Sequence, residues 1–160
     1  MSAPLLKTKL YVPPVRSELV SRPHLIERLD RGLREGRKLT LVSAPAGYGK
    51  TTLLSEWVAQ SGQPVAWVSL DESDNDPTRF WAYVVAALRT VSEDIREIAQ
   101  APLQLPYRPK IEPGVTELLN ELAELRDPIA LVLDDYHVIT TPAIHAAVSF
   151  LLENLPSQMH

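Results

Sequence analysis

Lys50, Thr51, Asp134 and Asp135 are residues whose types and spacing could act together. Lys50 and Thr51 sit near the end of Ser43-Ala44-Pro45-Ala46-Gly47-Tyr48-Gly49-Lys50-Thr51-Thr52, which follows the apolar run Leu39-Thr40-Leu41-Val42. Asp134 and Asp135 close a second apolar run, Ile129-Ala130-Leu131-Val132-Leu133. The first stretch has the GxxxxGK[ST] spacing of a phosphate-binding loop, with Ala44 in place of the first glycine. Gly47 and Gly49 tolerate positive φ. The chain can therefore curl so that the amides of residues 47 to 51 form an anion nest. A helix opening at Lys50 would add unpaired N–H groups and the positive end of its dipole. Lys50 would reach the β- and γ-phosphates, the Thr51 hydroxyl would ligate Mg²⁺, and Thr52 is the candidate for the α-phosphate. The competing reading is an ordinary strand-to-helix turn. A chance match in a chain of this length has odds on the order of one in a hundred, and the flanking strand and helix favour the loop further.

A buried parallel strand is apolar throughout, and carboxylates at its C-terminal edge sit where α/β sheets bind ligands. Asp134 is then the candidate to hold Mg²⁺ through water. Asp135 is the candidate to orient or deprotonate an attacking water. Two aspartates could also simply end a strand and cap the next turn. Their place about 80 residues after a phosphate loop favours the functional reading. His137 reads as a loop residue that could sense the nucleotide, and His24 and His145 as solvent-facing positions on amphipathic helices. Trp57, Trp67 and Trp81 read as core. The acidic stretch 71–76 is explained by turn and cap chemistry more simply than by a metal. Arg22, at a helix start before the first strand, is a candidate to lie near the adenine.

The elements that must position these groups follow from periodicity and punctuation. Residues 1–20 carry Pro4, Pro13 and Pro14 and no sustained period, so they read as an extended arm. Ser21 is the expected cap of a helix with Pro23 in its first turn and Leu25, Ile26, Leu29 and Leu33 on one face. A first strand is expected over Lys38–Ser43, then a helix burying Leu53, Leu54, Trp57 and Val58, and a second strand over Val65–Leu70. Asp76 and Pro77 launch a helix with Phe80, Val84 and Leu88 inward. Pro102, Pro106, Pro109 and Pro113 make 92–113 an irregular connection. A helix over Val115–Leu125, the strand Ile129–Asp134 and a helix capped by Thr141 complete the series. Strands alternating with helices give an α/β fold, a P-loop NTPase with a parallel sheet and flanking helices. The division is an arm and helix over 1–36 and a nucleotide domain over 37–160.

Of the 160 residues, 45% are hydrophobic and 22% charged, which is ordinary for a globular chain. The formal net charge of −4 leaves no electrostatic footprint for nucleic acid or anionic membrane. No cysteine is present, which excludes disulfides and thiolate metal sites and is compatible with a cytoplasmic location. No signal peptide or apolar run of membrane-spanning length is found.

Three stretches carry a family resemblance: 43–52; Trp67-Val68-Ser69-Leu70-Asp71-Glu72 with Asp74-Asn75-Asp76-Pro77 and Arg79-Phe80; and Leu133-Asp134-Asp135-Tyr136-His137. Leu6-Lys7-Thr8-Lys9-Leu10 and Ser21-Arg22-Pro23 add to it. Together they resemble the nucleotide-binding domain of the MalT-like, large ATP-binding LuxR-type transcriptional regulators, signal-transduction ATPases with numerous domains related to the AAA+ class. The resemblance covers almost the whole chain. It implies a nucleotide switch, closed with ADP, opened by inducer and ATP, self-associating through the nucleotide domain, and reset by slow hydrolysis. The family's phosphate loop falls on Ala44–Thr51, its Walker B pair on Asp134 and Asp135, and its adenine-side segment near Val20 and Arg22. The family pattern continues into a further strand with a sensor arginine, a winged helix, a helical repeat region and a helix-turn-helix, so the resemblance implies a chain cut short. The absent strand would lie between the phosphate-loop strand and the Walker B strand. Those two then either close up or leave the sheet open. DNA binding by this chain itself is not expected. Two other readings remain: a small kinase, for which Arg96 and Arg108 offer no recognisable lid pattern, and a remnant that binds without turnover.

Overall fold

The computed structural model describes residues 4–93, 95 and 112–160. Among them the helices are α1 (Pro23–Arg34), α2 (Lys50–Ser61), α3 (Pro77–Arg89), α4 (Glu112–Ala123) and α5 (Pro142–Glu153), with strands β1 (Val65–Ser69) and β2 (Ala130–Asp134). The connection expected over 92–113, with Arg96 and Arg108, lies almost wholly outside the described residues. The strands are parallel and directly paired, with Val65 opposite Ala130 and Ser69 opposite Asp134. This register sets the C-terminal ends of both strands side by side, where the acidic groups gather.

Both faces of this small sheet are covered, which is why its strands are apolar up to their last residues, Ser69 and Asp134. Val65 and Trp67 of β1 and Ala130 and Val132 of β2 pack with Ile26 and Leu29 of α1 and Leu53 and Trp57 of α2. The opposite face, Ala66, Val68 and Leu70, packs against α3, α4 and α5, with Phe80, Val84 and Leu88 fully buried. Trp57, Trp67 and Trp81 all lie in this core. α3 starts as its residues dictate: Asp76 accepts from the Arg79 amide at 2.8 Å and Pro77 opens the first turn. Such a cap contributes about 1 kcal/mol.

Two expected caps are used differently. Arg22, not Ser21, is the N-cap residue of α1 and makes no side-chain cap bond; the Ser21 hydroxyl donates to Glu56 instead. Thr141 stands at the start of α5, but its hydroxyl donates to the Asn75 carbonyl at 2.7 Å.

The expected strand over Lys38–Ser43 is not formed. The segment carries no ladder bonds, and Leu39 and Leu41 are 58% and 83% exposed. The cause lies in its neighbour. On the edge of β2 away from β1, the Ile129 amide donates to Gln158 O at 2.8 Å and the Leu131 amide to His160 O at 2.8 Å, with the His160 amide returning to Ile129 O at 3.0 Å. The His160 imidazole meets Thr40 Oγ1 at 3.0 Å and the Arg37 carbonyl. Residues 158–160 thus stand beside β2 with Arg37 and Thr40 on their far side. They reach only the start of the 38–43 segment, so its later amides and carbonyls find no ladder partner. Neither outcome expected for this sheet is met as stated: the 38–43 segment does not pair with β2, and residues 158–160 take the beginning of the β2 edge.

A candidate nucleotide site

The loop before α2 has the backbone that its glycines permit. Gly47 and Gly49 take φ of 82° and 80°, and nothing lies within 4 Å of a Cβ built at Gly47. Among the described residues, the amides of Gly47, Gly49, Lys50, Thr51 and Thr52 donate to no protein acceptor. They form, with the first turn of α2, a run of free donors at the positive end of a helix dipole. Ala44 is half-buried and Pro45, Ala46 and Tyr48 are exposed along the rim. Lys50 Nζ donates to the carbonyls of Ala44 at 2.6 Å and Pro45 at 3.2 Å, so its ammonium is drawn over the loop.

The Walker B candidate lies directly against this helix start. The Thr51 hydroxyl reaches both Asp134 oxygens, at 3.0 and 2.9 Å, and the Asp135 amide donates to Asp134 Oδ1 at 3.1 Å. Asp134 is 6% exposed. Burial raises its carboxyl above the ordinary range, and the neighbouring Asp135 charge adds to this, while the Thr51 hydroxyl and Lys50 act against it. Hard oxygen donors beside an anion nest are the donor set a polyphosphate with Mg²⁺ requires, since Mg²⁺ takes one or two carboxylates and keeps several waters. The residues therefore fit that ligand. Asp135 has left-handed backbone (φ 58°, ψ 31°), a conformation that aspartate tolerates better than most residues and that recurs at functional sites. Its carboxylate is half-exposed, 3.8 Å from His137 Nδ1. His137 and His145 are exposed, and His145 Nδ1 meets the Tyr136 hydroxyl at 2.8 Å.

Arg22 belongs to the same site. Its Nη1 donates to the Tyr48 carbonyl at 3.2 Å, joining the arm to the phosphate loop. A cavity of about 160 Å³ opens there, lined by Leu19, Val20, Arg22, Gly49, Thr52, Leu53 and Glu56. Lys50, Thr51, Thr52, Asp134 and Arg22 are thus brought around one site, with Asp135 at its edge.

Residues 33–159 match the model of a domain family described as AAA domain. The chain belongs to the AAA domain family. Over 155 residues this AAA domain is 39% identical to the HTH-type transcriptional regulator MalT of Yersinia enterocolitica serotype O:8, covering 97% of the chain and 17% of that protein. It is 36% identical to MalT of Klebsiella pneumoniae subsp. pneumoniae and 38% identical to MalT of Serratia proteamaculans, with the same coverage of each. The AAA domain thus spans 17% of the length of these regulators. No helix among its described residues is long and apolar enough to cross a membrane.

Sequence reasoning missed three residues of this AAA domain. Lys9 is buried and pairs with Asp71 at 2.9 Å and with Asp74, which also takes Arg79 Nε at 3.2 Å. Asn75 accepts from the Thr140 and Thr141 amides at 2.7 and 3.2 Å and donates to the Val138 carbonyl at 2.9 Å, stapling the loop after Asp135. The acidic stretch is therefore cap, turn and clasp, and no metal-ligating cluster is found among the described residues. Glu56, 5% exposed, lines the cavity. A carboxylate one helical turn past Thr52 was the one legible signal.

Proposed function

We propose that this AAA domain is the ATP/ADP-binding switch module of a MalT-like transcriptional regulator. The observation that carries the reading is the contact of Thr51 with Asp134, beside Lys50 and a run of free amides. Lys50 and the amides of Gly47 and residues 49–52 would bind phosphate oxygens, Lys50 exchanging two loop carbonyls for anionic acceptors, which make hydrogen bonds roughly twice as strong. Thr51 and Asp134 would hold Mg²⁺, which supplies charge neutralisation between the β- and γ-phosphates. Asp135, exposed and held in left-handed backbone, would orient water for a slow hydrolysis. Arg22 would close the base side. In a complete regulator of this kind, cytoplasmic and DNA-binding through another region, nucleotide exchange at this site would govern self-association.

Phosphate release from Mg·ATP with no acceptor present, together with ADP affinity, tests the reading. A switch binds ADP tightly and releases phosphate slowly or not at all. A turnover that depends on an added acceptor hydroxyl would sink it in favour of a kinase.

A further inference from the structure

Glu56 is a carboxylate 5% exposed on α2. Its Oε1 accepts from the Ser21 hydroxyl and from Gln60 Nε2 at 3.2 Å. Nothing among the described residues donates to Oε2. No cation pairs with it either, since the Arg22 guanidinium on the same cavity is turned to the Tyr48 carbonyl. Oε2 is not among the enclosed polar atoms left without a partner, so it stays open to a donor entering from the cavity that Glu56 lines. The cavity beside it, about 160 Å³, is on the scale of the roughly 150 Å³ that takes one aromatic ring. Its walls from Leu19, Val20 and Leu53 are apolar and suit a flat ring face.

The position along α2 says which part of a ligand arrives there. Thr52 and Glu56 are four residues apart and share one helix face. A ligand whose phosphates lie on the amides of residues 47–52 would extend past Thr52 along this face, bringing its base to Glu56 one turn on. We propose that Glu56 is the specificity-determining residue of this site, its carboxylate accepting the exocyclic amino group of an amino-bearing base such as adenine. This rests on the phosphate-loop reading above. A carboxylate accepts and cannot donate, so a base presenting a carbonyl there meets repulsion instead of a hydrogen bond.

The test compares ATP, ITP and inorganic triphosphate, each with Mg²⁺, by calorimetry on the purified chain. ITP carries a carbonyl oxygen where ATP carries the amino group. The wild type is expected to prefer ATP to ITP by at least about tenfold, the size of one lost hydrogen bond to a charged group. Glu56→Gln keeps the shape and the Oε1 acceptor but adds a donor, so the preference is expected to fall to about twofold or less with triphosphate affinity unchanged. Ser21→Ala, which removes only one of the two Oε1 partners, should keep the preference. Equal binding of ATP and ITP to the wild type overturns the assignment without any variant, as does an unchanged preference in a folded Glu56→Gln. If ATP and triphosphate both fail to bind, the phosphate-loop reading falls, and the Glu56 assignment with it.

Discussion

Burial, with the neighbouring Asp135 charge, favours the protonated form of Asp134 over the ionised one. A carboxyl raised on folding destabilises the fold once charged. The penalty is absent below the unfolded value near 3.9 and complete above the folded one. Asp134→Asn, which keeps an acceptor for Thr51, is therefore expected to melt a few degrees above the parent at pH 7, with the gap closing toward about pH 4. The same variant is expected to lose the Mg²⁺-dependent part of nucleotide binding; thermal unfolding from acid to neutral pH and calorimetry check the two halves. This trade is what a site optimised for a cation rather than for the empty fold should show. The placement of Lys50, Thr51 and Asp134 around one loop was legible in the sequence because each sits in a short pattern that declares its backbone. Glu56 was not, since its partner Ser21 lies 35 residues away, and only the fold brings the arm across α2.

The arm and the loop after Asp135 are held from one turn, residues 71–75. Lys9 is buried against Asp74, itself fully buried, with the Tyr83 ring 4.6 Å from its ammonium. Burial alone would lower the lysine, but the hydrogen bonds and charges of Asp74 and Asp71 outweigh it, so Lys9 is raised. Its contribution is then complete below the ordinary lysine range and lost only as pH rises through the folded value. Asp71, lowered to about 2 by Ser73 and Lys9, contributes above its ordinary range and fails as pH falls toward 2. Lys9→Met leaves Asp74 with only Arg79 and the Asp71 amide and is expected to cost about 3 kcal/mol in urea unfolding. Asn75→Ala strips the staple from residues 138–141 and is expected to cost about 2 kcal/mol, with faster amide exchange confined first to that loop. Helices were legible from their 3.6-residue period and proline starts, as Asp76-Pro77 illustrates. The 38–43 strand was misjudged because an apolar run becomes a strand only where a neighbour offers partners, and here residues 158–160 reach just its beginning.

At the scale of the molecule, a two-stranded sheet with both faces covered leaves the β2 edge without ladder partners beyond Leu131, among the described residues. Leu133 on β2 and the exposed Leu39 and Leu41 border it, the kind of edge that invites pairing between chains. Leu41→Lys is expected to lower concentration-dependent association in light scattering without lowering the melting temperature, since Leu41 is 83% exposed. The three-layer α/β architecture was legible because helix and strand periods alternate; the bonds of residues 158–160 to β2 were not, since they join positions about 30 residues apart with no local pattern. The proposed function places a polyphosphate on the amides before α2. Calorimetric titration of Mg·ATP into the wild type and Lys50→Ala tests this most directly. Lys50 bonds only two loop carbonyls, so its loss should leave the melting temperature within a degree or so while weakening binding at least tenfold, the effect of removing one charge-assisted contact. Equal affinity for the two proteins would contradict the account.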